Sequence, residues 1–166
     1  MKKTLTVESL TADAFGPFGF FASMIDPAAT VIVKKPIEFY RDMLQLDLGG
    51  ANIASLSVCR VEPRPAVVDV TEYHSYCGEG ILPLDNDVVI HVGPACPDEE
   101  LPLEQFRAFA VPKGTLVVLR PGVWHHAPMT MNAKPANVLI ILPERTYAND
   151  CTVVNLPKTQ RLTVKA

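Results

Sequence analysis

Turn-forming residues divide this chain so finely that long helices have no room. Fifteen prolines are spread through 166 residues. Asp26-Pro27, Glu62-Pro63-Arg64-Pro65, Leu82-Pro83, Gly93-Pro94, Lys113-Gly114, Pro121-Gly122 and residues 132–135 all read as turns. The runs between them are short, apolar and often alternating, the period of a strand rather than of a helix. Strands are expected at 18–23, 39–46, 53–61, 67–73, 88–92, 106–111, 116–119, 138–142 and 153–156. Helix is expected only at 12–15, behind the cap-like Thr11, and as a turn around 103–105. The tail after Pro157 reads as a last edge strand or as a frayed end. Many short strands between Pro and Gly turns predict an all-β jelly-roll barrel with one or two short helices. No repeat, low-complexity stretch or composition shift interrupts the chain, so residues 1–166 are expected to form one domain.

Charge and hydropathy exclude several functions. The net charge is −3, and the longest basic run is the pair Lys34-Lys35, too little to neutralise a phosphate backbone. The longest apolar run, residues 138–142, is far too short to span a bilayer. Behind Met1-Lys2-Lys3-Thr4 there is no apolar stretch of the kind a signal peptide carries. A cytoplasmic protein without nucleic-acid or membrane partners is expected. Cys59, Cys77, Cys96 and Cys151 are scattered without a C-x-x-C pair, and four reduced thiols are expected.

The chemistry-bearing residues fall in two places. One is Glu72-Tyr73-His74, followed after a short turn by Glu79; the other is Pro121-Gly122-Val123-Trp124-His125-His126. Residues two apart on a strand share a face, so Glu72 and His74 point the same way. A turn at Gly78 would form a hairpin that returns Glu79 beside His74, and the Pro121-Gly122 turn would deliver His125 from the opposite sheet. Two imidazoles and one or two carboxylates, Glu72, His74, Glu79 and His125, are the donor set of a divalent transition metal. Fe, Mn, Ni and Zn all remain open. His126 alternates with His125 and should face away, towards a supporting role or an oligomer contact. Trp124 reads as a packing residue and His91 as a hydrogen-bonded structural one.

At these residues the sequence resembles the cupins, and more narrowly the ureidoglycolate lyases. Glu72-Tyr73-His74-x4-Glu79 is similar to the first cupin motif, with Glu72 where a histidine is usual. Pro121-Gly122-Val123-Trp124-His125 is similar to the second, with Pro and Gly adjacent. The narrower resemblance covers most of the chain. It rests on Ala14-Phe15-Gly16-Pro17-Phe18-Gly19, on Glu72-Tyr73-His74 followed by Leu82-Pro83-Leu84, on residues 103–110, on Val123-Trp124-His125-His126 and on Asn149-Asp150-Cys151. The chain departs from that family at Glu79, where Gln is frequent, at Val33-Lys34-Lys35-Pro36, and at Glu144-Arg145 in place of Asp-Arg.

The resemblance implies a cupin-type double-stranded β-helix and a metal-dependent lyase that splits (S)-ureidoglycolate into glyoxylate and urea, in allantoin and purine nitrogen catabolism. Its substrate would be a small ureido-acid. One carbon of that acid carries a hydroxyl, a carboxylate and the ureido nitrogen. His126, Tyr73 or a bound water would protonate the leaving nitrogen. Arg107, with Arg120 and Arg145 as alternatives, would hold the carboxylate. The same donor set also suits an Fe(II) dioxygenase, and a non-catalytic cupin that binds a small acid is a third reading. A homodimer is expected, since sheet edges in such barrels need cover.

Overall fold

The protein is described by a computed structural model covering residues 3–33, 35–97 and 101–166. Part of the Lys34-Lys35 pair and the first two residues of the N-terminal stretch lie outside the described residues.

Strand follows turn along almost the whole chain. The elements are β1 (Thr4–Ser9), α1 (Ala12–Phe15), β2 (Gly19–Ser23), β3 (Ala54–Val61), β4 (Val67–Val68), β5 (Val70–Tyr73), β6 (Glu79–Pro83) and β7 (Val88–Val92). After a 3-10 turn at Leu103–Gln105 come β8 (Arg107–Val111), β9 (Thr115–Leu119), β10 (Ala136–Pro143), α2 (Thr146–Asn149), β11 (Thr152–Asn155) and β12 (Leu162–Lys165). One five-stranded sheet has the order β4-β12-β1-β8-β7, the other β2-β9-β6-β10-β3, and β11 pairs with β5. Bridges Val89↔Met129, Gly93↔Trp124 and Glu72↔His125 run the 124–129 segment between β7 and β5. The all-β architecture with short helices is the one the turn pattern predicts.

Alternation decides where each core sits. Val88, Ile90 and Val92 join Phe109, Val111, Val117, Leu119 and Ile140 in one apolar cluster. Their neighbour Val89 faces a second cluster built on Leu5, Trp124, Met129, Leu162 and Val164. Strand β7 is buried at every position for that reason: it is covered on both faces, so its sequence is a near-continuous apolar run. Phe15 anchors α1 in the first cluster, edge-on to Phe109 at 5.2 Å between centroids. The Thr11 hydroxyl caps that helix by accepting from the Ala14 amide at 3.2 Å.

Three expectations are corrected. Residues 39–46 form no strand: Tyr40 makes an isolated bridge to Val31, and Asp42 takes the left-handed conformation, φ 54°. Asp tolerates that conformation, and it interrupts an extended run. Strand β1 was not expected, because Thr4-Leu5-Thr6-Val7-Glu8-Ser9 is only weakly apolar. It is held by parallel pairing with β12 and β8. Residues 67–73 are two strands: β4 pairs with β12, β5 pairs with β11, and the Asp69 carbonyl between them accepts from Leu156. The tail is strand β12 rather than frayed chain.

Candidate metal centre

Three local arrangements bring the acid and imidazole groups together. Glu72 and His125 lie directly opposite each other, exchanging both backbone hydrogen bonds at 2.6 and 2.8 Å. The Gly122 amide then donates to the His74 carbonyl at 2.6 Å. At φ +78° Gly122 adopts a conformation that side chains disfavour, so the Pro121-Gly122 turn locks His125 beside β5. His125 therefore comes from the segment next to β5, not from the opposite sheet. Glu79 makes the crossing instead. It opens β6, which pairs with β9 and β10 and not with β5, so no β5–β6 hairpin forms. Its carboxylate meets both histidines from the other sheet.

Glu72, His74 and His125 each offer one donor atom, all within 4.8 Å of one another. Glu79 Oε2 stands 3.1 Å from His74 Nε2 and 3.0 Å from His125 Nε2. The far side of each ring fixes which nitrogen carries the proton. His74 Nδ1–H donates to the Asp150 carbonyl at 2.6 Å, and His125 Nδ1–H donates to the Val123 carbonyl at 2.8 Å. In the neutral rings both Nε2 atoms are then bare lone pairs, facing a carboxylate oxygen that is also only an acceptor. With both rings neutral, three acceptors converge with no donor among them, in a place where His74, Glu79 and His125 are 2%, 4% and 2% exposed. A cation at that point satisfies all three. The donor set fits a divalent transition metal, for which neutral imidazole and carboxylate are proper ligands.

Without an ion, the same attraction favours a proton between His125 and Glu79, in the place a cation would take. Burial works to raise the Glu79 carboxyl, but the His125 and His74 rings outweigh it and hold it at about 2. Burial works to lower His125, and the Glu79 charge and hydrogen bond override it and push it up. Cys151 donates its thiol to Glu72 Oε2 at 3.5 Å. Burial first, then that carboxylate, pushes the thiol up to about 12. Burial likewise lifts Cys77 to about 11, so both thiols stay un-ionised and neither is an activated nucleophile.

Supporting groups close around this cluster. Asp150 accepts from the Ser75 and Tyr76 amides at 2.7 and 2.8 Å, so one residue holds the His74 ring through its carbonyl and the following turn through its carboxylate. Behind His125, the Thr71 hydroxyl donates to the His125 carbonyl at 3.1 Å and so accepts from His91 Nε2–H at 3.2 Å. His91 is buried, stacked on Phe106 at 6.0 Å, and its Nδ1 has no hydrogen-bond partner. Burial, followed by the like charges of His125, His126 and Arg64, holds His91 at about 3. It is a neutral structural histidine, as the sequence suggests.

The residues expected to act on substrate divide. His126 lines an open cleft of about 330 Å³ with Cys59 and Arg64. Tyr73 turns to the other face of β5 and packs against Trp124, ring centroids 4.5 Å apart. Arg107 is committed elsewhere: its Nε donates to Glu8 Oε1 at 2.8 Å, Nη2 pairs with Glu8 Oε2, and Nη1 donates to the Ala14 carbonyl at 2.7 Å. Arg120 lies over Phe20, 4.2 Å from its centroid, and Arg145 is exposed beside Glu144. None of these three arginines is seen in contact with the cluster. Arg64 is the arginine whose charge is felt at Cys59 and His126.

Tyr147 was not singled out from the sequence. Its ring meets His74 edge-on at 6.3 Å and 85°, and after burial the nearest influences on its phenol are Glu79 and Glu72. The four-residue α2 puts it there, after Arg145 turns the chain through φ 61°. No periodicity marks so short an element. Asp150 did carry a signal, in the Asn149-Asp150-Cys151 stretch.

Comparison with known proteins bears on the chain as a whole. The chain matches the family described as ureidoglycolate lyase over residues 2–164. It is 32% identical to ureidoglycolate lyase of Rhodobacter capsulatus over 73% of this chain and 75% of that one. It is 29% identical to that of Pseudomonas syringae pv. tomato over 96% and 94%, and 28% identical to that of Burkholderia mallei over 97% and 94%. Among solved structures, oxalate decarboxylase of Bacillus subtilis superposes with a TM-score of 0.44 and 16% identity, covering 62% of this chain and 24% of that one. A match over nearly its full length places the chain in the ureidoglycolate lyase family.

Proposed function

We propose that this protein is a metal-dependent lyase that cleaves ureidoglycolate to glyoxylate and urea. The observation that carries the reading is the convergence of two imidazole Nε2 atoms on one buried carboxylate oxygen, in a chain of this family. Glu72, His74, Glu79 and His125 would hold the ion. A divalent ion bound there acts as a Lewis acid that lowers the pKa of a substrate hydroxyl.

The remaining work falls to Arg64 and His126, which line the cleft, and to Tyr147 beside His74. Arg64 replaces Arg107 as the cation for the substrate carboxylate, because it lines the cleft that His126 and Cys59 share. His126 takes the proton of the carbinol hydroxyl. As that O–H electron pair becomes the new C=O bond, the C–N bond breaks and its electrons leave with the ureido nitrogen. Tyr147, edge-on to His74 on the exposed side, gives that nitrogen a proton. Glyoxylate and urea result, and His126 and Tyr147 exchange the proton difference with water.

Metal-loaded protein with racemic ureidoglycolate tests the reading, against a no-enzyme control because the substrate decays by itself. Glyoxylate and urea are expected in equal amounts above background, and a chelator should abolish the excess. Ammonia in place of urea, or no acceleration with Fe, Mn, Ni or Zn, would overturn it. Oxygen uptake by the iron form would point to a dioxygenase.

A further inference from the structure

Strand β3 runs against the rule for a strand that covers a core. Leu56 and Val58 alternate onto its outer face, where they are 69% and 62% exposed. Ser55, Ser57 and Cys59 alternate onto the other face. The register fixes that face as the inner one. Ser55, Ser57 and Cys59 lie opposite Leu142, Ile140 and Val138 of β10, and all three partners belong to the core cluster between the sheets. A sheet normally turns its apolar set inward. Along β6 and β10 it does so except at Glu79, and at β3 the inner face becomes polar.

The polar stretch lies level with the candidate metal centre. Ile141 pairs with Gly80 of β6, which sets Leu142 level with Glu79, and Leu142 pairs with Ser55 on its other side. Ser55 therefore shares a row with Glu79, two strands away, roughly 10 Å by the spacing of strands. Glu79 and Glu72 are the carboxylates whose charge reaches the Cys59 thiol, so the inner face of β3 borders the same space as the cluster. At one end of that face, Cys59 opens into the cleft it shares with His126 and Arg64. At the other end, the Glu144 amide donates to the Ile53 carbonyl at 3.1 Å, tying β3 to the turn that leads into α2 and Tyr147. Ser55 and Ser57 occupy the length between, the first half-buried and the second exposed.

We propose that Ser55 and Ser57 bind the terminal amide of a ureido-acid held at the metal centre, and so select substrates that carry a ureido group. Residues two apart on one strand face stand roughly 6.8 Å from each other. A terminal amide presents its oxygen and its NH2 about 2.3 Å apart, from standard C=O and C–N lengths. With hydrogen bonds of about 2.8–3.0 Å at each end, one amide fits between the two hydroxyls. A hydroxyl both donates and accepts, so one serine can accept from the NH2 while the other donates to the carbonyl. Neither is charged, which suits a neutral group and leaves the substrate carboxylate to Arg64. The ureido nitrogen beside Tyr147 then has its amide pointing along β3. The assignment rests on the lyase reading for the identity of the ligand and adds to it the residues that recognise the leaving group.

Two readouts on the full chain test it, kinetics with the most active of the four ions and NMR with zinc. In ureidoglycolate turnover, Ser55→Ala/Ser57→Ala should raise KM about 10–100-fold, the change that two neutral hydrogen bonds convert to. Its kcat should stay within about threefold of wild type, the pattern of binding lost equally from ground and transition states. Competitive inhibition by glyoxylate, which lacks the amide, should be unchanged. Ser55→Thr/Ser57→Thr keeps both hydroxyls on β-branched residues that suit a strand, and should restore KM. Saturation-transfer NMR with N-methylurea reads the amide alone: wild type and the threonine variant should give a signal, and the alanine variant should not. Binding of N-methylurea through these serines by a protein that leaves ureidoglycolate intact would sink the lyase reading and uphold the amide site. Wild-type KM in the alanine variant, an equal loss of glyoxylate inhibition, or no N-methylurea signal from wild type would overturn the assignment.

Discussion

Asp150 shows how much of this site depends on one residue that touches no ligand atom through its side chain. Its carbonyl sets the His74 tautomer, and its carboxylate takes the Ser75 and Tyr76 amides. Asp150→Ala leaves the carbonyl in place but frees the turn that carries it. The expected result is a loss of about 2 kcal/mol in urea denaturation, since hydrogen bonds to a charged group contribute roughly 1.5–3 kcal/mol and these are partly exposed. Metal affinity measured by titration calorimetry should fall about 10–100-fold, as it does when the supports of a metal ligand are removed. Unchanged affinity would mean that the turn is rigid without the carboxylate. At this scale the sequence was readable where chemistry and spacing coincide. Glu72 and His74 share a face by strand alternation, and the same rule turns Tyr73 away, so its packing on Trp124 was implied by the argument that found His74. Arg107 was not readable, because its partner Glu8 lies 99 residues away in sequence and only the parallel pairing of β1 with β8 brings the two together.

The elements divide the work of the site between two sheets. Strand β5 and the 123–126 segment supply Glu72, His74 and His125 from one side, and β6 supplies Glu79 from the other. Local pattern predicted most strands to within two residues, because Pro and Gly turns set their ends. It could not assign strands to sheets, which depends on pairings between distant residues, and so it exchanged the routes by which Glu79 and His125 arrive. That crossing makes Glu79 the one member of this cluster contributed by the second sheet, and Glu79→Gln separates its charge from its shape. The amide fills the same space and can donate to one neutral Nε2, so the thermal midpoint of the metal-free protein should move by less than about 4 °C, the shift of roughly 1 kcal/mol in a domain of this size. Metal binding and any lyase turnover should drop by at least tenfold, because the anionic ligand is gone. Full metal affinity in this variant would leave Glu72 as the carboxylate that matters. His125→Ala removes a ligand from the other sheet and should abolish binding while the barrel keeps its far-UV spectrum.

For the whole molecule, acid stability follows from what the fold does to His91. This imidazole is neutral and held at about 3, against 6.5 for the free side chain. Above pH 6.5 it is unprotonated in both folded and unfolded chains and contributes no pH dependence. As the pH falls below 6.5 the unfolded chain takes up a proton that the folded chain refuses, and stability drops by about 1.4 kcal/mol per pH unit until the folded ring also titrates near 3. His125 opposes this: its ring is pushed up by Glu79, so the folded state holds that proton more tightly and gains stability as the pH falls. Comparing wild type with His91→Phe, both metal-free, cancels the His125 contribution and leaves that of His91. Phe keeps an aromatic ring against Phe106 and loses the bond to Thr71, so the variant should be less stable at pH 7 by about 1 kcal/mol. Between pH 6 and 4 its urea-derived stability should decline less steeply than that of wild type by close to one proton. The two curves should therefore converge and cross as acid is added. Parallel curves over that range would mean that the folded chain protonates His91 as readily as the unfolded one, and that the orphaned Nδ1 is reached by water.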